Sequence, residues 1–171
     1  MRRSLLLALI ISVAFTATPV FAAETNILLG KDYFQTTCQA IQEAKESIYV
    51  AMYLINVEPT PTDNPASILL EGLISAKKRG VYVKVIIDDT MSNVNYNAYQ
   101  RFRQAGIDVY LDSSRAVLHG KGIVIDSKIC ILGSFNWSRA SLYDNYEFAT
   151  YIKGAQDTFE EDLLGEEALK P

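Results

Sequence analysis

The order of helix-like and strand-like segments is the feature of this sequence that most restricts its fold. Ser47–Ile55 (SIYVAMYLI) is an almost wholly apolar run of strand length, so we expect it to lie inside a β-sheet. Apolar residues in Lys31–Lys45 recur instead at helical spacing. Because segments of the two kinds alternate along the chain, the sequence predicts an α/β fold. We expect a mixed β-sheet flanked by helices, and not a helical bundle or a β-sandwich.

The remaining segments continue this alternation. Asn56–Asn64 carries two prolines among polar residues and is predicted to be a loop, and Pro65 suits the first turn of a helix that ends near Arg79. We interpret the basic cluster Lys77–Arg79 as a feature of the C-terminus of that helix, where cations complement the helix dipole. The further predicted elements are a helix at Tyr96–Gln104 and strands at Val81–Asp88, Ile107–Leu111, Lys121–Ile125, Lys128–Leu132 and Glu147–Ile152.

The amino-terminal 22 residues are predicted to be an export signal and not part of the fold. Two arginines precede the apolar run Leu5–Phe15, and cleavage is expected after Ala22 or Ala23. An uncleaved membrane anchor is the alternative, but the residues that extend the apolar run include two threonines and a proline. We therefore expect residues 23–171 to form one domain, located in the periplasm or secreted.

The two cysteines, Cys38 and Cys130, allow two interpretations. In an oxidising compartment they could form one disulfide. Both also lie in apolar segments that would bury them as small hydrophobic residues, which is the favoured interpretation. Neither has a neighbouring histidine or a second cysteine at metal-binding spacing, so no zinc site is expected.

Charge and composition exclude several classes of protein. The chain has 171 residues, of which 49% are hydrophobic, so it is neither a disordered tail nor a disulfide-stapled miniprotein. Its net charge is −4, and six acidic residues lie in Asp157–Pro171, in a helix-like pattern around Phe159, Leu163 and Leu164. We interpret this acidity as that of a solvated tail, which leaves the body of the protein close to neutral.

The stretch around the single histidine of the chain carries the candidate chemistry. His119 and Lys121 are two residues apart at a predicted strand, so an imidazole and an ammonium would project from the same face. Seven residues after Asp126, a glycine-serine pair begins a turn in which Ser134 and Asn136 present hydroxyl and amide donors. Such donors, together with a fixed positive charge and free backbone N–H groups, make a site for an anion, most naturally phosphate.

Each of these residue types is common, but their combination at this spacing resembles the signature of the phospholipase D superfamily. The resemblance extends over most of the chain after the predicted signal, including Ser47–Ile55 and Ala76–Asp88. It is closest to small exported bacterial endonucleases that carry one such motif per chain, and it implies a phospholipase D/nuclease-like α-β-α sandwich. The matching residues are His119, Lys121, Asp126, Gly133, Ser134 and Asn136.

The resemblance also implies roles for individual residues. His119 would be the nucleophile that forms a phosphohistidine, and Lys121, Ser134 and Asn136 would hold the non-bridging oxygens of the phosphate. Glu147 lies where such nucleases have an acidic residue hydrogen-bonded to the histidine, so we expect it to orient the imidazole. An exposed carboxylate at a strand edge is the alternative interpretation of Glu147.

Two residues of the motif region have structural interpretations as well. Asp126 belongs to the catalytic signature, but with Ser127 and Lys128 it could equally serve a tight turn. Trp137 could line a groove, but a single tryptophan after a turn is more often part of the core.

The single histidine also constrains the assembly. Cleavage of a phosphodiester through a covalent intermediate needs a nucleophile and an acid that protonates the departing alkoxide. Family members with two motifs supply two histidines from one chain. We therefore expect a two-fold homodimer that brings His119 of both copies to one phosphate. No cofactor and no metal is expected, because the sequence carries no cluster of carboxylates or of His and Cys residues of the usual kind.

Three functions are compatible with these observations. The favoured one is a metal-independent phosphodiesterase, an endonuclease that cleaves DNA or RNA with little sequence specificity. The second is a phospholipid hydrolase or transferase, since a tight nonspecific DNA binder is expected to be more basic than this chain. The third is a catalytically inactive phosphate-binding module, against which the complete motif argues.

Overall fold

The computed structural model describes residues 23–112 and 116–154. The predicted export signal and the predicted helical pattern of the acidic tail lie outside the described residues. Within those two ranges, no helix is long and apolar enough to cross a bilayer. The elements in chain order are β1 (Glu24–Leu29), α1 (Lys31–Glu43), β2 (Ser47–Met52), α2 (Pro65–Lys78), β3 (Tyr82–Ile87), α3 (Ser92–Gln104), β4 (Asp108–Leu111), β5 (Lys121–Ile125), β6 (Ile129–Gly133), a π-helical turn (Ala140–Asp144) and β7 (Phe148–Lys153).

The strands form one mixed sheet in the order β1-β7-β6-β5-β2-β3-β4. β2, β3 and β4 are parallel to one another, and α2 and α3 are the crossovers between them. β5 pairs antiparallel with β2, and β6, β7 and β1 continue the antiparallel half. This arrangement confirms the predicted α/β class and the mixed sheet with flanking helices.

The hydrophobic core lies between the sheet and the helices. Ile48, Val50 and Met52 alternate along β2 towards this core and are fully buried. Their partners in β3 and the β5 partners of Ile48 and Val50 are buried in the same core. Each such side chain contributes about 1.5–3 kcal/mol by leaving water. Trp137 is also fully buried, and its Nε1 donates to the hydroxyl of Tyr33 at 3.1 Å. The structure thus confirms that Trp137 is a core residue.

The boundaries of some elements differ from those predicted. β1 is a strand that was not predicted, because Glu24–Leu29 is a largely exposed edge strand without a continuous apolar run. β2 ends at Met52 and not at Ile55, since Ile55 leaves the sheet and forms an isolated bridge with Trp137. α3 begins at Ser92, four residues before the predicted start at Tyr96.

The loop at 56–64 is confirmed, and it ends in a helix cap. The side chain of Asn64 accepts the N–H of Ala66 at 3.0 Å, and Pro65 is the first residue of α2, where its fixed φ suits the helix. Lys77–Lys78 occupies the last turn of α2, as predicted from the dipole argument.

Both cysteines are free thiols. Cys38 is half-buried in α1 and Cys130 is buried in β6. Burial raises the pKa of Cys38 to about 11 and also raises the pKa of Cys130. They are therefore the small buried hydrophobic residues of the favoured interpretation, and the alternative disulfide is not formed.

Candidate active site

All of the predicted site residues except Asp126 gather at one end of the sheet, where β2 ends, β5 begins and β6 ends. Met52 pairs with Lys121 in the antiparallel register of β2 and β5, and Leu132 pairs with Gly122 in that of β5 and β6. The residues that follow β6 therefore lie beside the residues that precede β5. This register brings the two halves of the motif together, although thirteen residues lie between His119 and Gly133 in the sequence.

The imidazole and the ammonium differ in their exposure. His119 is exposed on the loop before β5, whereas Lys121, the first residue of that strand, retains only 9% of its accessible surface. The Nζ of Lys121 donates to the carbonyl oxygen of His119 at 2.7 Å. Burial lowers the pKa of Lys121, and the carboxylates of Glu147 and Asp88 partly oppose this shift. The site thus has a reachable imidazole and, beside it, a cation shielded from water.

Glu147 is held as an ionised carboxylate near Lys121. It accepts a short hydrogen bond from the hydroxyl of Ser134, a second from Ser141 at 3.0 Å and a third from Asn145 at 3.2 Å. Burial alone would raise the pKa of Glu147, but these three donors and Lys121 together hold it below its usual value. In the described residues these contacts do not include His119, so the predicted bond from Glu147 to the imidazole is not formed within this chain.

Ser134 and Asn136 lie in the turn after β6. The proton of the Ser134 hydroxyl points to Glu147, and its Oγ accepts the N–H of Phe148 at 3.2 Å. The N–H of Asn136 donates to Ser141 Oγ at 3.0 Å, while its side-chain oxygen is buried without a partner in the described structure. Ser134 therefore has to turn away from Glu147 before it can donate to a phosphate.

The glycine of this turn is required by a close approach of two strands. A Cβ at Gly133 would collide with the carbonyl oxygen of Phe148 and lie 2.6 Å from the Cα of Ala149. Any larger residue would push β6 away from β7 and displace Ser134, the next residue.

Asp126 lies at the other end of β5, roughly 20 Å along the chain from His119. Its carboxylate accepts the main-chain N–H groups of Lys45, Glu46 and Ser47 at 2.7–3.2 Å. Asp126 and Ser127 both have positive φ, 53° and 50°, in the tight turn between β5 and β6. These contacts correspond to the structural interpretation of Asp126, and they keep its carboxylate away from the imidazole.

Tyr53 is a site residue that the sequence analysis missed. Its ring centroid lies 4.6 Å from that of His119, and the Nζ of Lys121 lies 4.8 Å from the same centroid. No motif marks this tyrosine. Its position follows from the β2–β5 register, which depends on contacts between distant parts of the chain and is not readable from local spacing.

Asp88 was also missed, and it organises the loop before the histidine. It is fully buried directly after β3. Its carboxylate accepts a short hydrogen bond from the hydroxyl of Thr90, the N–H of Met91 at 3.0 Å and the N–H of Leu118 at 2.9 Å. The available sequence signal was an acidic residue at the carboxyl end of a buried parallel strand, where ligand sites of α/β sheets lie.

A group of three carboxylates beneath this loop has the spacing of a metal site. Oxygens of Asp88, Asp89 and Asp112 lie within 4.8 Å of one another. The carboxylates of Asp88 and Asp112 already accept the same N–H group, that of Leu118, at 2.9 and 3.0 Å. Burial and the two neighbouring aspartates raise the pKa of Asp112, and hydrogen bonds from main-chain N–H groups partly offset this. Asp88 and Asp112 therefore already hold the loop, whereas one carboxylate oxygen of Asp89 is buried without a hydrogen-bond partner in the described residues. A metal-free reaction stays a prediction.

Comparison with known proteins identifies the family. Residues 37–163 match the family described as "Cardiolipin synthase, PLD-like domain", so this chain belongs to the phospholipase D superfamily. It is 33% identical over 118 residues to phospholipase D of Rickettsia typhi, covering 69% of this chain and 53% of that protein. It is 34% identical over 80 residues to the mitochondrial cardiolipin hydrolase of Chlamydomonas reinhardtii, covering 47% of this chain and 36% of that protein.

A solved structure has the same fold. Nuc from Salmonella typhimurium, a phospholipase D family member, superposes with a TM-score of 0.67 at 27% sequence identity, covering 84% of this chain and 91% of that one. The curated relatives are longer, and this chain spans about half the length of the phospholipases D that it matches. The predicted family and fold are confirmed, while the names of the relatives leave the substrate open.

Proposed function

We propose that this chain is a phosphodiesterase that cleaves nucleic acid through a phosphohistidine on His119, without a metal ion. The observation that carries the proposal is the exposed imidazole beside the shielded ammonium of Lys121. Ser134 and Asn136 lie at the same end of the sheet and would supply further donors once the Ser134 hydroxyl turns from Glu147 to the phosphate. A neutral imidazole is a competent nucleophile near pH 7, and charge on phosphoryl oxygens is best stabilised by donors that are already in place.

The proposed reaction has two steps. First, a lone pair of an imidazole nitrogen forms a bond to phosphorus, and the bond from phosphorus to the leaving oxygen breaks. The leaving oxygen takes a proton from a general acid, and the nitrogen–phosphorus bond holds the product phosphoryl group. Second, a water molecule attacks phosphorus, gives its proton back to the acid and releases the imidazole. Lys121 would balance the charge of the non-bridging oxygens in both steps.

The proton donor for the first step is proposed to come from a second copy of the chain. The sequence contains one histidine, and the reaction needs a nucleophile and an acid at the same phosphate. A two-fold dimer with both copies of His119 at one shared site would meet this need. Light scattering combined with activity measurements tests this part, and a monomer with full activity would contradict it.

Nucleic acid is the proposed substrate, and phospholipid is the second candidate. The superposition on Nuc covers 91% of that chain, and the sequence alignments to the phospholipases D cover about half of theirs. A single motif per chain is also what the small endonucleases of the superfamily carry. The second candidate is supported by relatives named phospholipase D and cardiolipin hydrolase. It is also supported by the near-neutral charge of the body of the protein, since a tight nonspecific DNA binder is expected to be more basic.

One substrate panel distinguishes these candidates. Purified protein is incubated with plasmid DNA, single-stranded DNA, RNA, and vesicles of phosphatidylcholine or cardiolipin, each with and without EDTA. We expect cleavage of nucleic acid that EDTA does not reduce and that the variant His119→Asn lacks. Release of phosphatidic acid from vesicles, with nucleic acid intact, would replace the proposal by the phospholipid reaction. A folded wild type that cleaves none of these substrates would favour the binding module.

Export is the remaining part of the proposal. Residues 1–22 have the charge and apolar pattern of a secretory signal. Expression of the full chain in a bacterium, followed by amino-terminal sequencing of the periplasmic fraction, should give a protein that begins at Ala23 or Glu24. Recovery of uncleaved protein in the membrane fraction would support the anchor instead.

A further inference from the structure

Tyr53 is the residue at this site that the family motif does not account for. It follows β2 and lies far from the motif in sequence. Its ring and the imidazole of His119 are 4.6 Å apart between centroids, with an angle of 56° between their planes. The Nζ of Lys121 lies 4.8 Å from the centroid of the same tyrosine ring. One aromatic ring therefore contacts the imidazole and also faces the ammonium.

The main chain of Tyr53 is fixed on both sides. Its N–H donates to the carbonyl oxygen of Gly120 at 3.1 Å, and its own carbonyl accepts from the side chain of Asn95 at 3.0 Å. Asn95 is fully buried and also donates to the carbonyl oxygen of Asp88 at 3.0 Å. The Asp88 carboxylate in turn accepts the N–H of Leu118. Tyr53 and the loop before the histidine are therefore connected through the same two residues, Asn95 and Asp88.

The aromatic ring of Tyr53 attracts a cation more strongly than a neutral group. The face of an aromatic ring carries a negative potential that attracts positive charge. In the proposed reaction, the imidazole becomes positively charged as its nitrogen bonds to phosphorus, because the other nitrogen keeps its proton. A contact that is stronger with the charged imidazole than with the neutral one lowers the barrier and leaves substrate binding unchanged.

We infer that Tyr53 is a positioning residue of this site, whose ring orients the imidazole of His119, retains the ammonium of Lys121 and stabilises the charged imidazole of the covalent intermediate. The inference rests on the proposed phosphodiesterase function and adds to it a residue outside the motif. The aromatic ring performs this role and the hydroxyl does not. We therefore expect phenylalanine at position 53 to perform it as well as tyrosine.

The kinetic test compares three variants on bis(p-nitrophenyl) phosphate and on single-stranded DNA. Tyr53→Leu removes the ring, Tyr53→Phe keeps it, and Tyr96→Leu is a matched control at an exposed tyrosine of α3. We expect Tyr53→Leu to lower kcat about tenfold with little change in KM, and the other two variants to match the wild type. Equal losses in Tyr53→Phe and Tyr53→Leu, or full activity of Tyr53→Leu, would overturn the inference.

A second measurement does not depend on activity. Because His119 is the single histidine, untagged protein gives one set of imidazole proton signals in an NMR spectrum. The ring current of residue 53 should shift these signals equally in the wild type and in Tyr53→Phe, and the shift should disappear in Tyr53→Leu. Unchanged signals in folded Tyr53→Leu would show that the contact is absent and the inference wrong. A wild type without hydrolytic activity would instead remove the proposed function, and the spectra would still decide whether the ring positions the imidazole.

Discussion

The hairpin of β5 and β6 carries charged motif residues at both ends, and the two ends differ in how their polar groups are satisfied. Where β5 begins, His119 is exposed and Lys121 donates to one main-chain oxygen of the same loop. At the turn between the strands, Asp126 accepts the main-chain N–H groups of Lys45–Ser47, and its own N–H donates to the carbonyl oxygen of Ser47. One end is open to a ligand and the other is closed by the chain itself.

This difference separates chemistry from support within a single motif. A carboxylate that already accepts three consecutive N–H groups has little capacity left for substrate, and it binds the hairpin firmly to the segment before β2. Asp126 is bonded to Ser47, the first residue of β2, and Tyr53 directly follows the last residue of that strand. The hydrogen bonds to Asp126 therefore also hold the strand whose far end places Tyr53 beside the imidazole. We therefore expect substitutions at the open end to change activity and substitutions at the closed end to change stability.

The largest effect is expected at His119. Replacement by Asn removes the nucleophile from an exposed position, so activity should fall by at least about a thousandfold while the melting temperature stays close to that of the wild type. Activity assays and thermal unfolding on the same preparations measure both quantities. A variant that keeps a tenth of the activity would show that another group carries out the attack.

The second effect concerns the charge of Lys121. The variant Lys121→Met keeps most of the buried stem and removes the ammonium, which should lower kcat about a hundredfold. Lys128→Met is the matched control, because Lys128 is an exposed lysine at the closed end of the hairpin, in an ion pair with Glu46. Similar losses of activity in both variants would mean that activity depends on the net charge of the protein and not on a positive charge beside the imidazole.

A smaller effect is expected at Asp126, and on stability alone. Asp126→Asn tolerates the positive φ but cannot accept the three N–H groups as a charged acceptor. The free energy of unfolding should fall by about 2 kcal/mol, while the activity of the folded variant stays within about twofold. Urea unfolding and assays at low temperature measure the two quantities. A large loss of activity in the stably folded variant would restore a catalytic role for Asp126.

The same comparison explains what could be predicted from the sequence. The apolar run at 47–55 and the two-residue spacing of His119 and Lys121 are local patterns, so strand β2 and the pairing of imidazole with ammonium were predictable. Tyr53 and Asp88 reach the site through strand register and loop packing, which arise from long-range contacts. The hydrogen bonds of Glu147 depend on the π-helical turn at Ala140–Asp144, which places Ser141 beside its carboxylate. No pattern of residues predicts which way the side chains of such a turn point.

The smallest expected effect is a pH dependence of the unfolding free energy, which measures how much the charge of Asp126 contributes to stability. Burial would raise its pKa, but the N–H groups of Glu46, Ser47 and Lys45 and the nearby charge of Lys128 hold it below its ordinary value of 3.8. A carboxyl group with a lowered pKa in the folded state stabilises the protein above its unfolded pKa, and this contribution is lost as the pH falls through the folded pKa. The difference in unfolding free energy between the wild type and Asp126→Asn should therefore be complete at pH 7 and shrink below about pH 4. Urea unfolding of both proteins between about pH 7 and 3 measures it. A difference that stays constant over this range would mean that the charge of Asp126 does not contribute to stability. The two ends of the hairpin would then differ in packing and not in the charge of their hydrogen-bonded groups.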